Sequence, residues 1–211
     1  MKKPEAGASE AEKMAYIHHA VMNPLTVVVG YAQLLASRSD LKEDALVQAN
    51  RILEQARECV RIIEELTTTD APLQVDGDAD DPLHGEGQGN RTRHILVVDD
   101  EPLILKLTQK VLGADYEVAI CPTAREAQRR LLIEDYDLVL LDYNLKGEID
   151  GRRLFETLKR HQPEIADKVL FMSGGVSDPE DQDFLGSSGR GCIDKPFNID
   201  KLRETVARAI S

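Results

Sequence analysis

The chain lacks a membrane span: no apolar run approaches the roughly 18 residues that one needs. The amino terminus, M-K-K-P-E-A-G, has no apolar core behind it and does not read as a signal peptide. Cysteine is scarce, with only Cys59, Cys121 and Cys192, no C-x-x-C pair and no His/Cys cluster at metal spacing. Three reduced thiols in a cytoplasmic protein are the simplest reading. There is no basic block, and the formal net charge is −12. That balance argues against nucleic acid or an anionic membrane as a partner. No internal repeat is present.

What acidity there is gathers in the middle. Residues 1–66 carry 8 basic and 10 acidic side chains, residues 67–92 carry 1 and 6, and residues 93–211 carry 17 and 22. The middle stretch is rich in Asp and Gly, holds two prolines and has few apolar residues. It cannot form a core and is expected to be a flexible, self-repelling tether. Its Gly85-Glu-Gly87-Gln-Gly89 follows no strand, opens no helix and has no Lys or Ser/Thr in place, so it is no phosphate loop. The expected division is a helical unit over 1–66, a linker over 67–92 and a second domain over 93–211.

In the first unit, Ser9 with Glu12 fits a capping box and predicts a helix from about residue 10. Apolar residues then recur at Met14, Ile17, Val21, Leu25, Val28, Ala32 and Leu35, a coiled-coil-like period. Pro24 falls inside and should kink the helix. Asp40 with Glu43 marks a second start, followed by a stripe through Ala45, Ala49, Ile52, Ala56, Cys59, Ile63 and Leu66. The short connection makes the two helices antiparallel neighbours. Two helices cannot enclose a core alone, so a homodimeric four-helix bundle is expected. With Ile17 at 0°, the apolar stripe spans roughly 0–80°, while His19, Asn23 and Thr26 fall near roughly 200°, 240° and 180°. On that projection all three face away from the core, and His18 sits at the stripe's edge.

From residue 93 onward, apolar strand-like runs alternate five times with helical patterns: His94–Val98, Tyr116–Ile120, Leu138–Leu141, Lys168–Met172 and a short strand around Cys192–Ile193. Strict alternation with short loops predicts an α/β domain with a five-stranded, doubly wound parallel sheet. The run Leu138–Leu141, without a polar break, is the pattern of a strand buried on both faces. It ends on Asp142, an acid that could equally cap a loop. The other strand ends decide between these readings. Strand one ends in Asp99-Asp100-Glu101, strand four in Ser173-Gly174, and strand five in Asp194-Lys195-Pro196-Phe197. Open α/β sheets gather their chemistry at the carboxyl ends of the strands, so these groups converge. Three carboxylates at close range call for a cation, and hard oxygens without His or Cys favour Mg²⁺. Asp142 then suits in-line attack on phosphorus, with Ser173 and Lys195 taking up phosphoryl oxygens.

This constellation resembles the receiver domain of two-component response regulators over residues 93–211. The resemblance implies that Asp142 is the phosphoacceptor. It implies further that Asp100, Asp142 and the backbone carbonyl of Asn144 ligate Mg²⁺, that Asp99 acts through water, and that Lys195-Pro196 is a cis peptide. Two positions depart from the pattern. Cys192 stands where the family's switch aromatic usually lies, and Lys146 stands where proline is frequent, in a loop one residue longer than usual.

The string His19-Ala-Val-Met-Asn23-Pro24-Leu25-Thr26, followed by V-V-V-G-Y-A-Q-L-L, resembles the H-box of sensor histidine kinases. The whole segment 10–66 resembles their dimerisation and histidine-phosphotransfer hairpin. By that resemblance His19 aligns with the phosphorylated histidine and Asn23 with a residue credited with orienting water for dephosphorylation. Ala20 replaces the acid expected after the histidine, and no ATP-binding domain follows Leu66, so autokinase activity is not expected. Nor does an output domain follow Ser211. The chain thus reads as a hybrid-kinase-like protein: a dimerising hairpin tethered to a receiver that a separate sensor histidine kinase or other phosphorelay protein phosphorylates on Asp142. Two rivals stay open. The hairpin could act as phosphotransferase or phosphatase through His19 and Asn23, or it could serve only as a dimerising scaffold that docks on a kinase.

Overall fold

The computed structural model describes residues 10–67, 92–174, 179–187 and 191–211. The chain opens with two helices, α1 (Glu10–Ala36) and α2 (Glu43–Thr67). Five βα pairs follow: β1 (His94–Val98) and α3 (Pro102–Leu112), β2 (Glu117–Cys121) and α4 (Ala124–Leu131), β3 (Leu138–Asp142) and α5 (Gly151–His161), β4 (Val169–Ser173) and α7 (Pro179–Ser187), β5 (Cys192–Asp194) and α8 (Ile199–Ile210). A short α6 (Pro163–Ala166) precedes β4. It escapes a reading by period because it is a single turn, started by a proline whose missing N–H costs nothing there.

The sheet order is β2-β1-β3-β4-β5, and every pairing is parallel. Alternate residues of each strand serve opposite faces. Leu96 and Val98 join one apolar cluster with α4, α5 and Leu185 of α7, while Ile95 and Val97 join another with α3 and α8. Both faces are thus covered, which is why β3 and β4 are buried along their whole length. The order reverses between β1 and β3, so their carboxyl ends flank a crevice.

The hairpin departs from the expected projection. Asn23 and Thr26 are buried, 4% and 0% exposed, while Val28 and Leu35 of the stripe expected to meet a second copy are 42% and 41% exposed in the single chain. The reason is that α1 has two neighbours. It packs on α2, where the buried Ala32, Ala49 and Ala56 are small enough for a close helix approach, and it also packs on α3. Val27, Tyr31 and Leu34 of α1 join the α3/α8 cluster. A segment as apolar as V-V-V-G-Y-A-Q-L-L has little polar face to keep in water, so it can be covered on two sides. Thr26 satisfies its hydroxyl inside the helix, donating to the Met22 carbonyl at 2.8 Å.

Helix α1 runs on through Pro24. One smaller difference concerns the start of α2. Asp40 does not start α2; its carboxylate pairs with Arg38 instead, and the first turn is closed by Ala45 N–H donating to the Lys42 carbonyl. The side chains of His18 and His19, the Ser9 cap and the linker over 68–91 lie outside the described residues.

Candidate functional site

β1 runs straight into Asp99, which is fully buried. Its Oδ1 accepts from Glu101 N–H at 2.8 Å, which turns the chain into α3, and its Oδ2 accepts from Lys195 Nζ at 2.6 Å. Asp142, the last residue of β3, is also fully buried, with Oδ1 at 3.2 Å from Lys195 Nζ. Lys195 arrives from the end of β5, tied by its N–H to the Ser173 carbonyl at 2.5 Å. Its peptide to Pro196 is cis, as the receiver resemblance implies. The lysine, both aspartates and Ser173 therefore meet at the carboxyl edge, where the sequence put them.

Asp100 completes the acidic group at the rim. One oxygen each of Asp99, Asp100 and Asp142 lie within 4.8 Å of one another. Two buried oxygens, Asp142 Oδ2 and Ser173 Oγ, have no hydrogen-bond partner. Unpartnered buried oxygens beside clustered carboxylates are the donor set that a small hard cation and an oxyanion would complete. The site residues therefore fit Mg²⁺.

The electrostatics follow from burial. Desolvation pushes Asp99 up to about 7; Lys195 opposes the shift and Asp142 adds to it. Burial also opposes the charge on Lys195, but Asp142 and Asp99 outweigh it and hold the ammonium above its ordinary value. The lysine is thus a fixed positive charge, and the carboxylates outnumber it.

Three contributors were not assigned to the site from the residue pattern. Lys146, in the β3–α5 loop, places Nζ 2.8 Å from Asp100 Oδ2 and donates its backbone N–H to Asp100 Oδ1 at 3.2 Å. The Asp100 hydrogen bond raises its pKa. Gly151 opens α5 against the backbone of β3, and a Cβ there would meet the Asp142 carbonyl oxygen at 2.1 Å. Only glycine lets the helix start that close to the acid. Tyr143, next to Asp142, donates its hydroxyl to Asp181 of α7, which also accepts from Arg152 at 2.8 Å. Around it Phe155, Phe171 and Phe184 stack edge to face. Cys192, at the position where the family's switch aromatic usually lies, packs on this cluster; burial, with Asp194 and Asp142, pushes its thiol up to about 12.

With this geometry in view, the comparisons with known proteins agree. Residues 95–207 match the response regulator receiver domain, and residues 10–70 match the His Kinase A (phospho-acceptor) domain. The chain belongs to the response regulator receiver family and carries a His Kinase A type helix pair in the same polypeptide. It is a protein of two-component signal transduction. Among curated relatives, the transcriptional regulatory protein GlrR of Escherichia coli K12 is 33% identical over 125 residues, covering 57% of this chain and 27% of GlrR. ComA of Bacillus subtilis strain 168 is 23% identical over 123 residues, covering 56% of each chain. The matched region therefore spans about half or less of these relatives' length. Among solved structures, a CheY-like receiver domain from Methanospirillum hungatei JF-1 superposes with a TM-score of 0.51 at 29% identity, covering 57% of this chain and 94% of that one. CheY4 of Vibrio cholerae does so at 24% identity and a TM-score of 0.51, covering 56% and 99%, which shows the fold. Receiver domains generally bind Mg²⁺ at an acidic pocket, in keeping with the donor set here. Among the described residues no helix is long and apolar enough to cross a membrane.

The raised Asp99 gives a pH signature. Between its ordinary value of 3.8 and about 7 the folded state holds a proton that the unfolded chain has lost. Its stabilising contribution is therefore full below the lower value and is lost as pH rises through the upper. In EDTA, Asp99→Asn should match the wild type in urea denaturation near pH 4 and become the more stable of the two as pH passes 7. A difference that does not change with pH contradicts this.

Proposed function

We propose that Asp142 accepts a phosphoryl group from a phosphohistidine on a partner histidine kinase or other phosphorelay protein. The observation that carries this reading is the buried ammonium of Lys195, 3.2 Å from Asp142 Oδ1, beside the two oxygens without partners, Asp142 Oδ2 and Ser173 Oγ. In the transfer a carboxylate oxygen of Asp142 attacks phosphorus in line. The donor's P–N bond breaks, and the departing ring nitrogen keeps the bonding pair and takes a proton from solvent. Lys195 and the Ser173 hydroxyl hold oxygens of the acyl phosphate. Asp100, Asp142 and the Asn144 carbonyl would hold Mg²⁺, with Asp99 acting through water; the bound ion supplies positive charge against the phosphoryl oxygens.

The hairpin over 1–66 is read as a dimerising unit, joined by residues 67–92 to the receiver over 93–211. Support comes from Val28, Leu35, Val47 and Ile52, large apolar residues that the hairpin leaves 41–49% exposed. A symmetric second copy is the simplest cover for them. The rival reading, phosphotransfer or hydrolysis through His19 with Asn23 orienting water, is weakened by the burial of Asn23.

Three experiments test this reading. Incubation with acetyl phosphate, and separately with a phosphorylated kinase, should label the wild type and His19→Ala equally and leave Asp142→Asn unlabelled. Label on Asp142→Asn sinks the proposal, and a change in phosphate lifetime in His19→Ala revives the rival. Calorimetric titration should show Mg²⁺ binding about 2–5-fold more tightly to Lys146→Met, because the half-exposed lysine shares Asp100 at the modest strength of a surface ion pair. Unchanged or weaker binding would mean that Lys146 does not compete. Light scattering should give a dimer for the wild type and a monomer for the double variant Val28→Asp/Ile52→Asp; a wild-type monomer removes the bundle.

A further inference from the structure

The outer face over the neighbouring helices α4 and α5 carries two features that neither the core nor the phosphoryl site explains. The first is apolar. Leu132 and Ile133 are 70% and 79% exposed, the highest values for large apolar side chains among the described residues. They follow α4 directly and continue its last turn, because Ile133 N–H and Glu134 N–H both donate to the Arg130 carbonyl, at 3.0 and 2.8 Å. The second feature is basic charge. Leu132 and Ile133 lie three and four positions past Arg129, so they share its side of the turn. Arg129 is exposed, as is Arg160 in the last turn of α5, and neither pairs with a carboxylate among the described residues. Gln162 Nε2 donates to the Leu131 carbonyl at 3.5 Å and keeps the two helix ends side by side. Bases in a last turn suit the helix dipole, but a base in a first turn opposes it. Arg153 is exposed in the first turn of α5, where there is no acid, and its partner Asp150 stands 3.9 Å away.

We propose that this face is a docking surface for the chain's own acidic segment over residues 76–83, D-G-D-A-D-D-P-L, with Leu83 on Leu132 and Ile133 and the aspartates on Arg129, Arg160 and Arg153. Chemistry is the first support. The segment holds four aspartates, a leucine and no base in eight positions, which complements arginines set around an apolar pair. The place where the chain enters the sheet is the second. Arg93 Nη1 stands 3.0 Å from Asp137 Oδ1, and His94 N–H donates to Asp137 Oδ2 at 2.8 Å. Asp137 is four residues past Ile133, so the chain reaches β1 beside the apolar end of the face. Order is the third. Traced back from Thr92, the segment offers Leu83 first and its aspartates next. Traced away from that entry, the face offers Ile133 and Leu132 first, then Arg129 and Arg160, and Arg153 last. Eight extended residues span up to about 26 Å, whereas Arg153 to Arg160 covers only about 11 Å of helix, so the segment meets the whole row with slack. A short tether gives an effective concentration of about millimolar. The segment therefore reaches its own receiver ahead of another copy's. Neither the phosphoryl chemistry of Asp142 nor the dimer enters this inference.

The test uses ¹⁵N-labelled full-length chains and no phosphodonor, so its outcome is independent of whether Asp142 is phosphorylated. The variant Asp76→Asn/Asp78→Asn/Asp80→Asn/Asp81→Asn removes the charge and keeps the size of the segment. It should move the amide signals of Arg129, Leu132, Ile133, Arg153 and Arg160 and leave those of α3 and α8 in place. In about 0.5 M NaCl, where charges are screened beyond about 4 Å, the difference between the two chains should largely vanish. Leu83→Ser changes no charge and should still move Leu132 and Ile133, which the field of the aspartates alone would not do. Arg129→Glu/Arg160→Glu should release the segment, and adding Asp80→Lys/Asp81→Lys to it should bring Leu132 and Ile133 back toward their wild-type positions. The wild-type spectrum should hold through a dilution of about tenfold. Three results overturn the proposal: α4 and α5 amides that stay put in the fourfold Asn variant, no response of Leu132 and Ile133 to Leu83→Ser, or a wild-type spectrum that turns into the variant's on dilution, which would put the segment on another copy.

Discussion

One buried ammonium organises the receiver. Lys195 is shared between Asp99 at 2.6 Å and Asp142 at 3.2 Å, with all three side chains sealed from solvent. These residues come from the ends of β1, β3 and β5, so the pocket exists only because the sheet is parallel and delivers all its carboxyl ends to one edge. A buried ammonium left with no carboxylate at all would be strongly destabilising. The three strand ends are therefore held in mutual register by the same interaction that prepares the site. The carboxylates outnumber the lysine, and this residual negative charge is what a cation and the rim lysine, Lys146, answer.

The same segment links the site to the hairpin. From Lys195 the chain passes through the buried Phe197 and the helix-capping Asn198 to Ile199, whose N–H is held by Gln33 of α1. Three residues thus separate the group that contacts Asp142 from the group that contacts the hairpin. On the other side of the site, Tyr143 ties the residue after Asp142 to Asp181 on α7. The segment after Lys195 thus reaches the surface that meets α1, and the residue after Asp142 reaches α7.

Most of the receiver was legible from local pattern. The unbroken run Leu138–Leu141 could only be a strand covered on both faces, and polar residues ending four of the strands could only meet at one edge. What escaped was of two kinds. Lys146 and Gly151 act through space on Asp100 and on the backbone of β3, and nothing in their spacing encodes the neighbour. The orientation of α1 was misjudged for a different reason. Period 3.5 assumes one partner face, but α1 also packs on α3, so Asn23 and Thr26 are buried. The clue was present in Gly30, a mid-helix glycine that makes sense only where another element comes close.

The central claim is that this pocket directs a phosphoryl group to one carboxylate. Borohydride trapping tests it most directly, because reduction converts an aspartyl phosphate to homoserine, which mass spectrometry locates. After reaction with acetyl phosphate and Mg²⁺, homoserine is predicted at position 142 and at neither 99 nor 100. Homoserine at another aspartate, or at none while phosphate is incorporated, would contradict it.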